Sequence, residues 1–562
     1  MTTATPAPSA PTRPDGYDHD VIILGAGIAG SMLGAILARH DTDVLLVDAG
    51  AHPKFAVGES MIPYTLLTLR TIAERYGVPE IQTLSTFDAC VKRVNHSFGW
   101  KKHFGFLHHR PGEEPDWWEA NQFNTPGILH KSSHLFRQDT DQYMFNTAVR
   151  YGARARLGYR VDDVDIDDDG VTVHGADGRS LRARYLVDAS GFRSPLADKL
   201  GLREQPSRFK HHSRSIFTQM IGVKHTDDVL PHAPKERPEV PWHHGTMHHI
   251  FDRGWFWVIP FNNNPRSRNP LCSVGVTVDP RRYPKPDDMT PEQEFHAFAE
   301  RFPTVSRQFA DARPVREWVA TPRLQYSSTQ SVGARWCLMS HAAGFLDPLF
   351  SRGLSNTAEI INAFSWRLLA ALREDDFSRE RFEYVERLEQ GLLNYNDALV
   401  NSAFISFDNY DLWNAVFRVW SYGSVVGGFR VQRALSRFKQ DGDDRHLREL
   451  EEAPNVGLWW PDHQGYKELF DAMVTQTEAF EQGTVKASEA AGELFRRLQT
   501  ADFIPHRQGF SDPETRFLRP TPAKLAGFVW WIAREAPPEM RELLVSNVRD
   551  VMKAGIKGRR LY

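Results

Sequence analysis

Cysteine is scarce, with 3 residues in a chain of 562. Cys90, Cys272 and Cys337 cannot build a disulfide framework, and none stands in a CxxC pair. A reducing, cytoplasmic setting is the expectation. A surplus of either charge is also missing, since 68 Lys+Arg face 71 Asp+Glu. A chain that held nucleic acid mainly by electrostatics would carry a basic excess somewhere, and the short cluster Lys557, Arg559, Arg560 is too small for that. There is no secretory n-region. The stretch before residue 18 is rich in Pro, Thr and Ala, carries Asp15, and reads as a disordered tail over residues 1–17. His243, His244, His248 and His249 cluster, but no HExxH pattern, cysteine pair or acidic cluster accompanies them, so no metal site is expected. Val21 to Ala38 holds no charged residue and reaches the length of a membrane span, yet it contains Gly25, Gly27, Gly30 and Gly34 and opens on a β-branched run. A glycine-rich turn explains it better, and no membrane segment is expected.

What is present is ordinary globular composition, 41% hydrophobic and 25% charged. Length alone allows about three or four domains, or fewer large ones. From residue 18 to about 375, short β-branched runs such as Val171-Thr172-Val173 and Tyr185-Leu186-Val187 alternate with helical patterns, as an α/β or α+β module would. Over 376–562 the strand signals nearly vanish. Trp413, Val416, Phe417 and Trp420 follow helical spacing and read as helix core, or else as the wall of a substrate pocket.

Asp20 to Gly30 is a buried strand running into GxGxxG; a helix over 31–40 and a second strand ending at Asp48 follow. Gly25 permits the tight turn, Gly27 with Ala26 the close approach of a pyrophosphate, and Gly30 the packing of helix on strand. The helix N-terminus offers free N–H groups to the phosphate. Asp48 stands where a ribose-binding acid belongs. A dinucleotide is therefore expected, and the N-terminal position of the motif fits FAD better than NAD.

Gly254-Trp255-Phe256-Trp257-Val258-Ile259-Pro260 matches the WxWxIP signature of the flavin-dependent halogenases. The run from Gly344 to Gly353, with Asp347-Pro348 and Ser351-Arg352, resembles that family's segment beside flavin and halide. Gly58-Glu59-Ser60 is similar to its GES stretch. Arg137 to Asp141, Val187 to Ser194 and Asp347 to Thr357 resemble the branch containing the tetracycline and aminopyrrolnitrin halogenases. The resemblance implies a Rossmann-type FAD module of the GR2/PHBH-like kind over 18–375, with a substrate β-sheet, and a C-terminal helical region over 376–562.

It also implies the chemistry. Reduced FAD reacts with O2 to a flavin hydroperoxide, chloride (or bromide) takes its distal oxygen, and the resulting hypohalous acid travels to a lysine beside an aromatic substrate. Lys101, in Lys101-Lys102-His103-Phe104-Gly105-Phe106, matches that lysine; Lys102 is its neighbour and Lys92 is more distant. Burial would lower the lysine pKa. Trp255 and Trp257 share one strand face. They would wall the flavin from the substrate, unless they are two ordinary core tryptophans. Ser351 completes the catalytic set, Arg137, Asp347 and Pro348 join the FAD contacts, and Arg352 and Gly353 offer backbone N–H groups to the halide.

Two departures stand out. Phe350-Ser351 replaces the Glu-Ser of tryptophan halogenases, and Ser340-His341 replaces the Gly-Asp of many flavoproteins of this fold. His341 is then a flavin neighbour or a satisfied buried histidine, and Glu59 a site acid or a helix cap. The substrate implied is a free, tetracycline-like polyketide, with a pyrrole or arylpyrrole as the alternative. A flavin monooxygenase that hydroxylates or epoxidises an aromatic ring, and a non-catalytic FAD-binding protein, are the competing classes. By the same resemblance the flavin arrives already reduced, and the single dinucleotide fingerprint then implies a separate NAD(P)H-dependent reductase.

Overall fold

Hydrophobic residues that run without alternation cannot serve a strand with one wet face. His19–Leu24 is buried at every position. It lies inside a parallel sheet, paired with Ser180–Asp188 on one side and Val44–Asp48 on the other. Successive side chains serve opposite faces. Val21 and Ile23 pack with Leu33 and Ile36 of the helix Ile28–Arg39, while Ile22 and Leu24 pack with Val171 and Val173. Trp336–Leu338 and Arg154–Leu157 extend this eight-stranded sheet in parallel. The uncharged run Val21 to Ala38 is thus strand, turn and helix. Among the described residues no helix is long and apolar enough to cross a membrane.

These features come from a computed structural model that describes residues 16–124, 132–231, 238, 240–518 and 521–556. Residues 1–15 of the expected tail lie outside the described residues. Tyr17, which that expectation included, is tied down by a hydrogen bond to the Asp169 carbonyl at 2.6 Å.

A second, nine-stranded sheet is antiparallel at its centre. Gly254–Pro260 lies between Thr246–Phe251 and Cys272–Val278, and Thr246–Phe251 pairs in parallel with His103–His108. The short strand Gly99–Lys101 pairs apart from both sheets, with Ser132–His134.

Helices dominate from Gly353–Glu374 onward, through Glu383–Ser406, Tyr410–Asp441, Gln464–Glu481 and Ala487–Thr500. One short strand accompanies these helices. Phe517–Leu518 pairs in parallel with Ala120–Asn124. Two residues carry no readable period, so only tertiary contact shows this strand. Trp413, Val416, Phe417 and Trp420 are all buried, and they share one apolar cluster with Phe104, Phe106, Trp255 and Trp257 of the second sheet. The helical part and the sheet have a common core.

Candidate active site

The first turn is built on missing side chains. Gly25 has φ +95°, and a Cβ there would meet the Ala189 carbonyl oxygen at 2.6 Å. A Cβ on Gly30 would meet the Gly25 oxygen at 2.0 Å. A Cβ on Gly27 would meet nothing within 4 Å, because Gly27 faces a cavity of about 1000 Å³. The helix Ile28–Arg39 starts there with no side-chain cap and no acid in its first turn, so its free N–H groups face the cavity as an anion site. Asp48 accepts from the N–H of Ala26 at 2.7 Å and of Gly50 at 2.8 Å, and it pairs with Lys54, which the sequence reading did not foresee. Burial pushes its carboxyl up, but the Lys54 ammonium and the backbone N–H groups outweigh this and hold it below the ordinary carboxylate value.

Arg137 lines the same cavity. Its guanidinium grips Asp141 at 2.8 and 2.9 Å and donates to the Val57 carbonyl, which fixes the loop before Gly58. His341 lines the cavity too. Its Nε2 is shielded from solvent and has no hydrogen-bond partner among the described residues, and burial lowers the ring to about 4. It is therefore a cavity neighbour with a spare ring nitrogen, not a satisfied core histidine. Gly353 makes room for it, since a Cβ there would meet His341 Nε2 at 3.1 Å.

Asp347 and Pro348 stand beside this cavity's lining rather than in it. The Asp347 carboxylate accepts from Ser213 Oγ at 2.8 Å and Leu349 N–H at 3.0 Å, with His211 at 3.3 Å. The Pro348 carbonyl closes a turn by accepting from Ser351 N–H at 2.9 Å. Arg352 also turns its side chain elsewhere. The guanidinium lies 3.6 Å over the Trp459 ring and donates to the Gly457 carbonyl at 3.1 Å. What remains near it for an anion is the N-terminus of the 22-residue helix Gly353–Glu374, which has no side-chain cap. Glu59 is no helix cap. It is buried, accepts from Gly58 N–H at 3.1 Å, and the next helix starts at Pro63.

Lys101 is 1% exposed. Its Nζ donates to Ser60 Oγ and sits 3.2 Å over the Phe104 ring. Burial lowers its pKa well below the usual lysine value. Lys102, between the strands Gly99–Lys101 and His103–His108, lies over Trp100 at 3.7 Å instead, and Lys92 is exposed. The two lysines left open by the sequence are thus distinguished by burial. Ser351, at φ +52°, donates to Ser60 Oγ at 3.1 Å. Trp255 and Trp257 lie with ring centroids 5.6 Å apart. Gly275 opposite leaves space for the larger ring, as a Cβ there would meet Trp257 at 2.2 Å. Phe350, where tryptophan halogenases have glutamate, packs on Trp420 at 4.7 Å.

The profile of the tryptophan halogenase family matches residues 20–124 and 119–394. The chain is 56% identical to tetracycline 7-halogenase of Kitasatospora aureofaciens over 97% of this chain and 98% of that one. This chain belongs to the flavin-dependent halogenases. It is also 43% identical to monodechloroaminopyrrolnitrin halogenase PrnC of Pseudomonas fluorescens, over 97% of this chain and 96% of that one. Among solved structures, halogenase PltM in complex with phloroglucinol and FAD superposes with a TM-score of 0.85 at 34% identity, covering 89% of this chain and 99% of that one.

FAD is the cofactor of this halogenase family, and the residues fit it. The cavity has the volume, the bare Gly27, the uncapped helix and the acid at Asp48 that a dinucleotide needs. Besides Lys54, three further residues were missed in the sequence. Ser60 stands at the junction of Lys101, Ser351 and Thr246, the last at 2.9 Å. Its place in the GES stretch was a signal, but its partners lie far away in the chain. His134 sits in a strand too short to show a pattern. Glu389, buried in a helix, accepts from Ser340 N–H at 3.1 Å, and burial raises its carboxyl to about 8.

Proposed function

We propose that this halogenase chlorinates a ring of a free, phenolic polyketide of the tetracycline type, with Lys101 delivering the halogen. One observation carries the reading. A buried lysine, its amine shifted by burial toward the neutral form, lies over the Phe104 ring of an aromatic cluster and is joined by hydrogen bond to a serine rather than a carboxylate. Such an amine has a lone pair for an electrophilic halogen. The tetracycline 7-halogenase relative and the phloroglucinol complex of PltM support a phenolic ring as substrate. A phenol oxygen stabilises the cationic ring intermediate, which fits a site where Phe350 takes the place of glutamate. The pyrrole alternative rests on the 43% identity to PrnC.

When bound, reduced FAD supplies with O2 the oxidising equivalents for the halide. The residues of the chain do the rest. Gly27, Asp48 and Arg137 would hold the cofactor, with Gly25, Ala26 and Gly30 shaping the turn. The N-terminus of Gly353–Glu374, beside the spare Nε2 of His341, offers donors to chloride. Trp255 and Trp257 would stand as a wall between the cofactor and the substrate ring. Reduced flavin is supplied by a separate reductase. The test is mass spectrometry of aromatic substrates after incubation with reduced FAD, O2 and chloride or bromide. The expected product carries one halogen; a product with one added oxygen and no halogen would establish the monooxygenase instead.

A further inference from the structure

A chain of hydroxyl groups leads from the buried lysine to a buried histidine. His134 Nδ1 lies 2.9 Å from the Pro260 carbonyl, and its Nε2 lies 3.0 Å from Thr246 Oγ1. Thr246 Oγ1 lies 2.9 Å from Ser60 Oγ, which meets Lys101 Nζ and, at 3.1 Å, Ser351 Oγ. Each hydrogen in this chain has one place. A carbonyl only accepts, so Nδ1 carries the ring hydrogen. Burial holds the ring neutral, with a pKa of about 3, so Nε2 accepts and the Thr246 hydroxyl donates to it. The Thr246 hydrogen is then used, and the Ser60 hydroxyl donates to Thr246. Ser60 keeps both lone pairs for the N–H of Lys101 and the O–H of Ser351.

We propose that His134 and Thr246 are positioning residues for Lys101: through Ser60 they make the amine a donor and keep its lone pair free. The inference rests on the lysine role proposed above. Were Ser60 turned the other way, its hydroxyl would donate to the amine and cover the lone pair that must meet the halogen. The chain thus supplies orientation at a centre where the neighbouring glutamate is replaced by Phe350.

The backbone is built for this contact. Gly99 pairs with His134 and Lys101 with Ser132, while Ser60 bridges to His134 from the other side. Leu135 N–H donates to the Glu59 carbonyl at 2.7 Å, which fixes the GES stretch against this strand. A Cβ on Gly99 would meet the Pro260 oxygen at 2.2 Å and His134 Nδ1 at 3.1 Å, so only glycine leaves the bond intact. Pro260 ends the strand that carries Trp255 and Trp257, and Ser351 belongs to the turn before the helix Gly353–Glu374. The hydrogen-bond chain joins the GES stretch, the end of the tryptophan strand and the turn at Ser351 to the amine.

The test compares full-length wild type, Thr246→Val, Thr246→Ser and Lys101→Ala, supplied with reduced FAD, O2, chloride and a phenolic substrate. Chlorination kcat and KM are measured, and oxidised chlorine released without substrate is trapped in parallel. Thr246→Val keeps the shape and loses the hydroxyl. It is expected to lower kcat by about 100-fold, the cost of a misplaced reacting group, with KM, flavin affinity and released oxidant unchanged. Thr246→Ser is expected to restore kcat. Wild-type kcat in Thr246→Val overturns the inference. So does a fall in released oxidant parallel to the fall in kcat, or an equal loss in Thr246→Ser, since either marks a general structural defect. Unimpaired chlorination by Lys101→Ala removes the lysine role itself, and this inference with it.

Discussion

Lys101 pays a stability cost for its place, and the sign of that cost is testable. Its folded pKa lies well below the free value of 10.5. Between the two values the unfolded chain binds a proton that the folded chain does not, so stability rises with pH up to about 10.5. Lys101→Met removes this linkage. The variant is expected to melt above wild type at pH 7, and the gap should narrow by at most about 1.4 kcal/mol per pH unit toward alkaline pH. It should also lose halogenation while keeping flavin. Thermal melts at several pH values decide the matter, and a gap that stays constant with pH contradicts a neutral amine. Asp48 makes the opposite case. Lys54 and two backbone N–H groups keep it ionised, so Asp48→Ala leaves donors without an acceptor. Flavin affinity is expected to fall about 10- to 100-fold, from the usual worth of a charge-assisted hydrogen bond, and fluorescence titration measures it.

At the scale of elements, the Trp255–Trp257 strand depends on its neighbour's glycine. Gly275→Ala would force its Cβ against the Trp257 ring. The expected result is a loss of about 1–3 kcal/mol from overpacking, with altered tryptophan fluorescence and less chlorination. An unchanged melting curve and emission spectrum would speak against that close contact. Elements also show what the sequence could reveal. The strand from His19 and the turn at Gly25 were legible because Val21 to Leu24 is an unbroken buried apolar run and each glycine has a separate steric task. The WxW strand was legible from its motif. Ser132–His134 was not, since Ser-Ser-His carries no hydrophobic period and gains its meaning from Gly99 and Ser60. Asp347 shows another limit of reading residues in line. A motif names a residue but not the direction of its side chain, and Ser213 and Leu349 turn this carboxylate from the cavity.

At the scale of the whole molecule, the two parts read from the sequence share one apolar core. Phe106 of the second sheet meets Trp413 at 4.9 Å and Phe417 at 5.6 Å. A fragment ending at residue 375 would expose the sheet side of that core. It is expected to aggregate on expression, and a soluble fragment with a cooperative melt by circular dichroism would instead establish an independent module. The strand Phe517–Leu518 adds a consequence in time. It pairs with Gln122 and Phe123, about 400 residues earlier in the chain. A ribosome adding about 5–20 residues per second needs roughly 20–80 s to cover that distance. For that interval Ala120–Asn124 is an open sheet edge, available to a second nascent copy. The vulnerable period of this enzyme is set by the clock of its own translation.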